Sequence, residues 1–315
     1  MDLELSEKKI FSQNGEDGVT IKLIELLYGE EDARKNKYYV EFGVEDGREC
    51  NTRILREKYN WQGLQMDGSN ENATIHLKKE FITRENIVEL FEKYKVPEKI
   101  NILSVDIDYN DFYCLKEILA KYTCDIIICE YNSTHSATDN KIIIYDSEGM
   151  WDGSNYFGVS LYALEKLGNL YNYSLIYCDK KGVNCYLMHN SLLLQKKLQF
   201  KNFGDIHKIY RPAKYGHGPN GGHRHDPYNR PYITFAESLT DNYISVGSSN
   251  TNSKIIKLNR EYPANTVFIL NKNPCPDTFT GIIDGTLLTV TRTDVSESIG
   301  WGYLHSGYIS TPEES

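Results

Sequence analysis

YYVEFGVEDG, residues 38–47, is the stretch on which the fold turns. Its first half, YYVEF, is dominated by aromatic and branched side chains and reads as a strand. That strand runs into a turn in which Gly43 and Gly47 bracket Glu45 and Asp46. A helix-like stretch follows at residues 51–58, with Asn51 or Thr52 fitting as its cap. Strand, turn and helix in this order make half of a βαβ unit, the building block of a largely parallel sheet.

Outward from that unit the pattern repeats. An amphipathic helix over residues 17–28 precedes it, carrying Val19, Ile21, Leu23, Ile24, Leu26 and Leu27. A second strand at 63–66 closes on Asp67, a weaker one is expected at 81–83, and a helix at 87–94 places Ile87, Leu90, Phe91 and Tyr94 on one face. Residues 101–107 and 125–130 are near-continuous apolar runs, as expected of strands covered on both faces, and both finish in acidic residues. Residues 173–178 and 184–188, separated by DKKG, read as a closing hairpin. The fold class is therefore α/β.

The composition changes after Phe200. Residues 211–230, RPAKYGHGPNGGHRHDPYNR, have no periodicity and read as a long loop. Short β-branched and aromatic runs then follow at 243–246, 254–258, 266–270, 281–283, 287–292 and 303–309. The division expected is a main domain over 1–210, a Gly/His/Pro-rich linker loop over 211–235 and a small β-rich domain over 236–315. The last of these is a sandwich or barrel-like appendage suited to self-association or glycan contact.

The 315 residues carry 35 basic and 44 acidic side chains, a net charge of -9 that opposes any phosphate-neutralising surface, so nucleic acid is excluded as partner. Seven scattered cysteines without a CxxC pair argue against a disulfide framework or a thiolate zinc site and suit a reducing compartment. His217, His223 and His225 have no scaffold that would make them a zinc cluster. No apolar run approaches the length of a membrane span, and the start MDLELSEKKIF has no apolar core of a secretory leader, so a cytoplasmic protein is expected.

The acidic turn bears on the ligand. A dinucleotide fingerprint needs GxGxxG and a helix N-terminus open to pyrophosphate, whereas Glu45 and Asp46 crowd this turn with negative charge. A cationic sulfonium donor such as S-adenosylmethionine suits it better: Gly43 and Gly47 let a ligand approach the backbone, and Asp67 at the next strand end offers acceptors to a ribose diol. Taken together, FSQNGEDG (11–18), YYVEFGVEDG (38–47), GLQMDGS (63–69), ITRENI (82–87), ILSVDIDYNDFY (102–113), IICEYNS (127–133) and WDGSNYFGVSL (151–161) resemble FkbM-type class I S-adenosylmethionine-dependent methyltransferases, including members that decorate sugars and glycans. The resemblance spans residues 11–188 and implies a seven-stranded, doubly wound, Rossmann-like sheet. It implies donor contacts from Glu41, Gly43 and Asp67, adenine-side contacts from the segment between Thr83 and Asn86, and a place near the donor for Gln13. Gly47 and Asp106 complete the expected donor-binding set. The Glu45-Asp46 pair departs from the small residues that many methyltransferases carry there.

Methyl transfer to a hydroxyl needs alignment and removal of a proton, by a base or with help from a divalent metal. Asp106 and Asp108 stand two apart at one strand mouth, and Glu130 and Asn132 repeat the spacing at the next. Similar metal-dependent O-methyltransferases place acidic and amide ligands at these strand ends, which gives Asp106, Glu130 and Asn132 as ligands for Mg or Mn and Asp108 as general base. His135 is the alternative base. The other reading of Asp106 and Asp108 is that either merely caps the following helix. Trp151, Asp152 and Tyr156 are expected to face a sugar or glycan acceptor, or, in the plainer reading, the aromatic residues of this loop cover the core. The competing functions are a nucleotide-dependent oxidoreductase and a non-catalytic carbohydrate-binding protein.

Overall fold

The structure, a computed structural model, describes residues 1–218 and 221–239 and, beyond them, the backbone of five short strands. Nine strands fall in the first part: β1 (Tyr38–Phe42), β2 (Gln62–Asp67), β3 (Leu77–Lys79), β4 (Lys99–Val105), β5 (Thr123–Glu130), β6 (Ile142–Ile143), β7 (Tyr173–Cys178), β8 (Asn184–His189) and β9 (Tyr232–Ile233). Seven of them form one sheet in the order β3-β2-β1-β4-β5-β8-β7. The first five strands in that row run parallel, and β8 is antiparallel to both β5 and β7.

Alternation along the strands shows why helices cover both faces. Val40, Phe42, Leu103, Val105, Ile127 and Cys129 point into one core with α3 (Ile87–Lys93), α4 (Asp111–Leu119) and α5 (Leu161–Leu170). Their neighbours Tyr39, Ile102, Ile126 and Ile128 point into the other, with α1 (Glu16–Asp32), α2 (Arg53–Tyr59) and Leu193 of α6 (Asn190–Gln195). The doubly wound, seven-stranded architecture expected from sequence is thus present. Chain order reverses between β1 and β4, so their carboxyl ends border the crevice where ligands of open α/β sheets bind.

One strand differs in place. The edge strand is Leu77–Lys79, whereas residues 81–83 form the turn into α3. Only Leu77 of this strand is buried, and Lys78 and Lys79 follow it at the sheet edge, so no apolar run marks it.

The described residues of 211–234 contain no helix, and the segment lies against the main body. Tyr131 donates its hydroxyl to the Arg211 carbonyl at 2.6 Å, and α7 (Ile206–Ile209) just before it contributes Ile209 to the core. At the far end β9 pairs antiparallel with β6, Ile233 opposite Ile142. The short helix α8 (Phe235–Ser238) follows, closed by a capping box between Thr234 and Glu237. Beyond it lie β10 (Tyr243–Val246), β11 (Lys257–Leu258), β12 (Val267–Leu270), β13 (Thr278–Ile283) and β14 (Thr286–Thr291). The strand expected at 303–309 lies outside the described residues. No described helix is long and apolar enough to cross a membrane.

Candidate active site

The turn after β1 is built around its two glycines. Gly43 has φ +76°, and a Cβ there would stand 1.4 Å from the Asp106 carbonyl oxygen, so the ends of β1 and β4 touch only because no side chain separates them. Gly47 has the same left-handed φ and packs against Ile75. Glu41 points away from this opening. Its buried carboxylate accepts from the Asn51 N–H at 2.7 Å, the Thr52 N–H at 2.9 Å and the Thr52 hydroxyl, the donors that lead into α2. Burial pushes the Glu41 pKa up against the pull of these donors. Glu41, expected from sequence to contact the methyl donor, has its carboxylate engaged with the backbone that leads into α2.

Asp67 closes β2 beside the same opening. Its Oδ2 accepts from the Glu45 N–H at 2.9 Å and its Oδ1 from the Ser69 and Asn70 N–H groups, at 2.8 and 2.9 Å, which holds the acidic turn over the strand end. Thr83 and Asn86 spend their side chains on each other: the Thr83 N–H donates to Asn86 Oδ1 at 2.8 Å, and the Asn86 amide reaches the Phe81 carbonyl. What this segment leaves open is the Phe81 ring, 54% exposed. Gln13 is exposed and accepts from Asn14, while Glu16, three residues on in the motif FSQNGEDG, is fully buried and accepts from Asn184 at 3.1 Å.

The ends of β4 and β5 hold the acidic residues together. One carboxylate oxygen each from Asp106, Asp108 and Glu130 lies within 4.8 Å of the other two. Asp108 has φ +62° and sits on the exposed rim, with Asp106 and Glu130 half-buried behind it. Asp111, at the start of α4 and unnoticed in the sequence, is fully buried. Its Oδ1 accepts from the Ile107 N–H at 2.7 Å, while its Oδ2 and Glu130 Oε2 are buried without a partner.

Such crowding makes the carboxyl groups reluctant to ionise. Burial and the charges of Asp111 and Asp108 push Asp106 well up, and burial with Asp106, Asp111 and Asp108 does the same to Glu130. Burial raises Asp111 to about 7, and partial burial with the nearby Glu45 raises Asp108. Carboxylates arranged in this way either hold protons or hold a cation, and hard oxygen donors on adjacent strand ends fit a divalent ion such as Mg²⁺ or Mn²⁺.

Asn132 is not in this set. Its amide donates to the Asn155 and Phe157 carbonyls at 2.8 and 3.0 Å, and its Oδ1 accepts from Thr134, so its side chain is engaged in holding the 155–157 loop. His135 is likewise removed from the site's chemistry: it is buried edge-on against Tyr232, and burial followed by Lys141 lowers its pKa to about 4. Tyr156 is also a core residue, fully buried, with its hydroxyl between the Pro231 carbonyl and the Ile144 N–H and the Arg230 guanidinium over its ring. Asp152 is clasped by Arg230 at 2.6 Å, and Arg230 also holds Asp226. Trp151 remains half-buried and packs its ring 4.4 Å from that of His223, which in turn meets Phe157 and Tyr215. Burial makes the Tyr215 phenol a weaker acid than usual, and the charges of Glu130 and Asp106 add to the shift. The loop over 211–230 thus brings His223 against Trp151 and Phe157, and Tyr215 against His223, contacts that their distance in sequence concealed.

No family model matches the chain, and no curated protein does. Among solved structures it is similar to an O-methyltransferase family protein from Burkholderia thailandensis, with 5% identity over 56% of this chain and 57% of that one and a TM-score of 0.31. It is also similar to the CMeT domain of a citrinin polyketide synthase, with 9% identity over 57% of this chain and 54% of that one and a TM-score of 0.30. The match spans little more than half the length of either structure.

Proposed function

We propose that this chain is an S-adenosylmethionine-dependent O-methyltransferase that acts on a sugar or glycan hydroxyl with a divalent cation at the site. The observation that carries the reading is the position of Glu41. In a dinucleotide-binding sheet the N–H groups leading into the helix after β1 receive pyrophosphate; here they are already bonded to a buried carboxylate. The crevice therefore disfavours phosphate, and the acidic groups of β1, β2, β4 and β5 favour a ligand with positive charge. A sulfonium donor meets that condition. Asp67 accepts hydrogen bonds at the β2 end and is the residue assigned to the ribose, which would compete there with the backbone of Glu45 and Asn70.

In this reading Asp106, Asp108 and Glu130 hold the cation, in place of the set that included Asn132. A bound cation supplies Lewis-acid lowering of the acceptor hydroxyl's pKa. Asp108, the most exposed of the three, is the residue assigned to take the acceptor proton. Trp151, Tyr215 and His223 support a sugar acceptor, since their rings pack into one aromatic cluster of the kind that sugar faces stack on. The β-rich stretch 236–315 is read as a separate unit for self-association or glycan contact, in a cytoplasmic protein.

Calorimetric titration with S-adenosylhomocysteine and with NAD, side by side, tests the reading. The first is expected to bind and the second not; the reverse result removes methyl transfer and restores the oxidoreductase. Added EDTA is expected to stop turnover while leaving S-adenosylhomocysteine affinity unchanged.

A further inference from the structure

We infer that Asp111 is the outer carboxylate of the cation site, a positioning residue whose unpaired Oδ2 receives the hydration shell of an ion held by Asp106, Asp108 and Glu130. The inference rests on the cation reading above and adds to it a residue that neither the strand-end spacing nor the mutual 4.8 Å grouping includes.

Three observations carry it. Asp111 is fully buried, yet only one of its two carboxylate oxygens has a partner. An orphaned buried carboxylate oxygen of this kind is costly unless a proton or a hydrated ion completes it. The second orphan, Glu130 Oε2, belongs to the neighbouring carboxylate of the same cluster, so the two open positions share one surrounding. Third, the one contact Asp111 makes, its Oδ1 accepting from the Ile107 N–H ahead of α4, requires no charge, and asparagine would make it equally well. An ionisable carboxyl buried among three other acidic groups is what that contact leaves unexplained, and small hard cations that keep part of their water are stabilised by such outer acceptors.

The test is a calorimetric titration of the full chain with MnCl₂, using the wild type, Asp111→Asn and Asp111→Ser. Both substitutions keep an oxygen for the Ile107 N–H and remove the charge. The wild type is expected to bind one ion, and both variants to bind it about 10–100-fold more weakly. Thermal unfolding in EDTA is expected to show the variants at least as stable as the wild type, because a repelling carboxylate has gone. Affinity within threefold of the wild type in both variants would reduce Asp111 to a structural tie to Ile107 and overturn the inference. So would a wild type that binds no Mn²⁺, or variants whose lost affinity accompanies a lower unfolding temperature in EDTA. The S-adenosylhomocysteine titration in EDTA is blind to this ion: a chain that binds Mn²⁺ but not that ligand keeps this inference and loses methyl transfer, and the converse loses only the cation site.

Discussion

Glu41 and Glu130 are both glutamates near the carboxyl ends of parallel strands, with β4 between their strands, and their surroundings are opposite. Glu41 is enclosed by three donors, two of them backbone N–H groups, and no other carboxylate is bonded to it. Glu130 has an unpartnered oxygen and three acidic neighbours. The pKa of each is raised by burial, but in Glu41 the donors oppose the shift, whereas in Glu130 every neighbour adds to it. One end of the crevice is a finished structure. The other is completed only by protons or by a cation, and that difference separates residues that build a site from residues that work in it.

The largest effect is expected where the two ends touch. Gly43→Ala would drive a methyl group into the Asp106 carbonyl, at 1.4 Å, in a backbone conformation that L-residues avoid. Displacing β1 from β4 at this point is expected to cost about 3 kcal/mol or more, read as a lower urea midpoint. A variant as stable as the wild type would mean that the two strand ends are not in contact and that the comparison has no shared boundary.

A matched pair of substitutions sharpens the contrast itself. Glu41→Gln turns one acceptor into a donor facing an N–H group and is expected to destabilise by about 1–3 kcal/mol. Glu130→Gln removes a repelling charge and is expected to stabilise the metal-free protein at pH 8 by about 1–2 kcal/mol. The pH dependence has the same origin. Asp111, raised to about 7 from 3.8, keeps a proton in the folded state that the unfolded chain has already released above pH 4. Stability from this group is complete below about pH 4 and is lost as pH rises through about 7. Chemical denaturation in EDTA from pH 4 to 8 is expected to show that decline, steeper in the wild type than in Glu130→Gln, and added Mn²⁺ is expected to flatten it. Destabilisation by both glutamine variants at pH 8 would erase the distinction between the two glutamates.

The same distinction explains what was legible in the sequence. Strands β1, β4 and β5 are apolar on alternating faces and buried on both, so their runs announced them, and the acidic residues closing them were visible for the same reason. β3 was misplaced because an edge strand of three residues with two lysines has no pattern to read. Identity of residue type could not tell Glu41 from Glu130, because their difference lies in the Asn51 and Thr52 N–H groups on one side and in Asp111 on the other. Asn132 and His135 had the right chemistry and the right neighbourhood in sequence; what disqualifies them is the carbonyls of Asn155 and Phe157 and the ring of Tyr232, contributed from 23 to 97 residues away. Asp111 reads as a helix start in any sequence, and only its orphaned oxygen marks it as more.

The rim gives the smallest expected effect and the cleanest control on electrostatics. Asp152 pairs with Arg230 at 2.6 Å and accepts from the Ser154 N–H at 2.9 Å. Although partial burial pushes its pKa up, the bonds from Ser154 and the Arg230 charge outweigh that and hold it below the usual range. The shift is thus opposite in sign to that of the buried cluster: its stabilisation is present above pH 4 and is lost as pH falls through the lowered value. Asp152→Asn keeps an oxygen for Ser154, and Arg230 keeps Asp226, so the expected loss at pH 7 is under about 1 kcal/mol and shrinks in high salt. A loss of several kcal/mol, or one that survives molar salt, would show that this rim pair belongs with the enclosed carboxylates, and exposure alone would then no longer separate the loop that covers the mouth from the strands that form it.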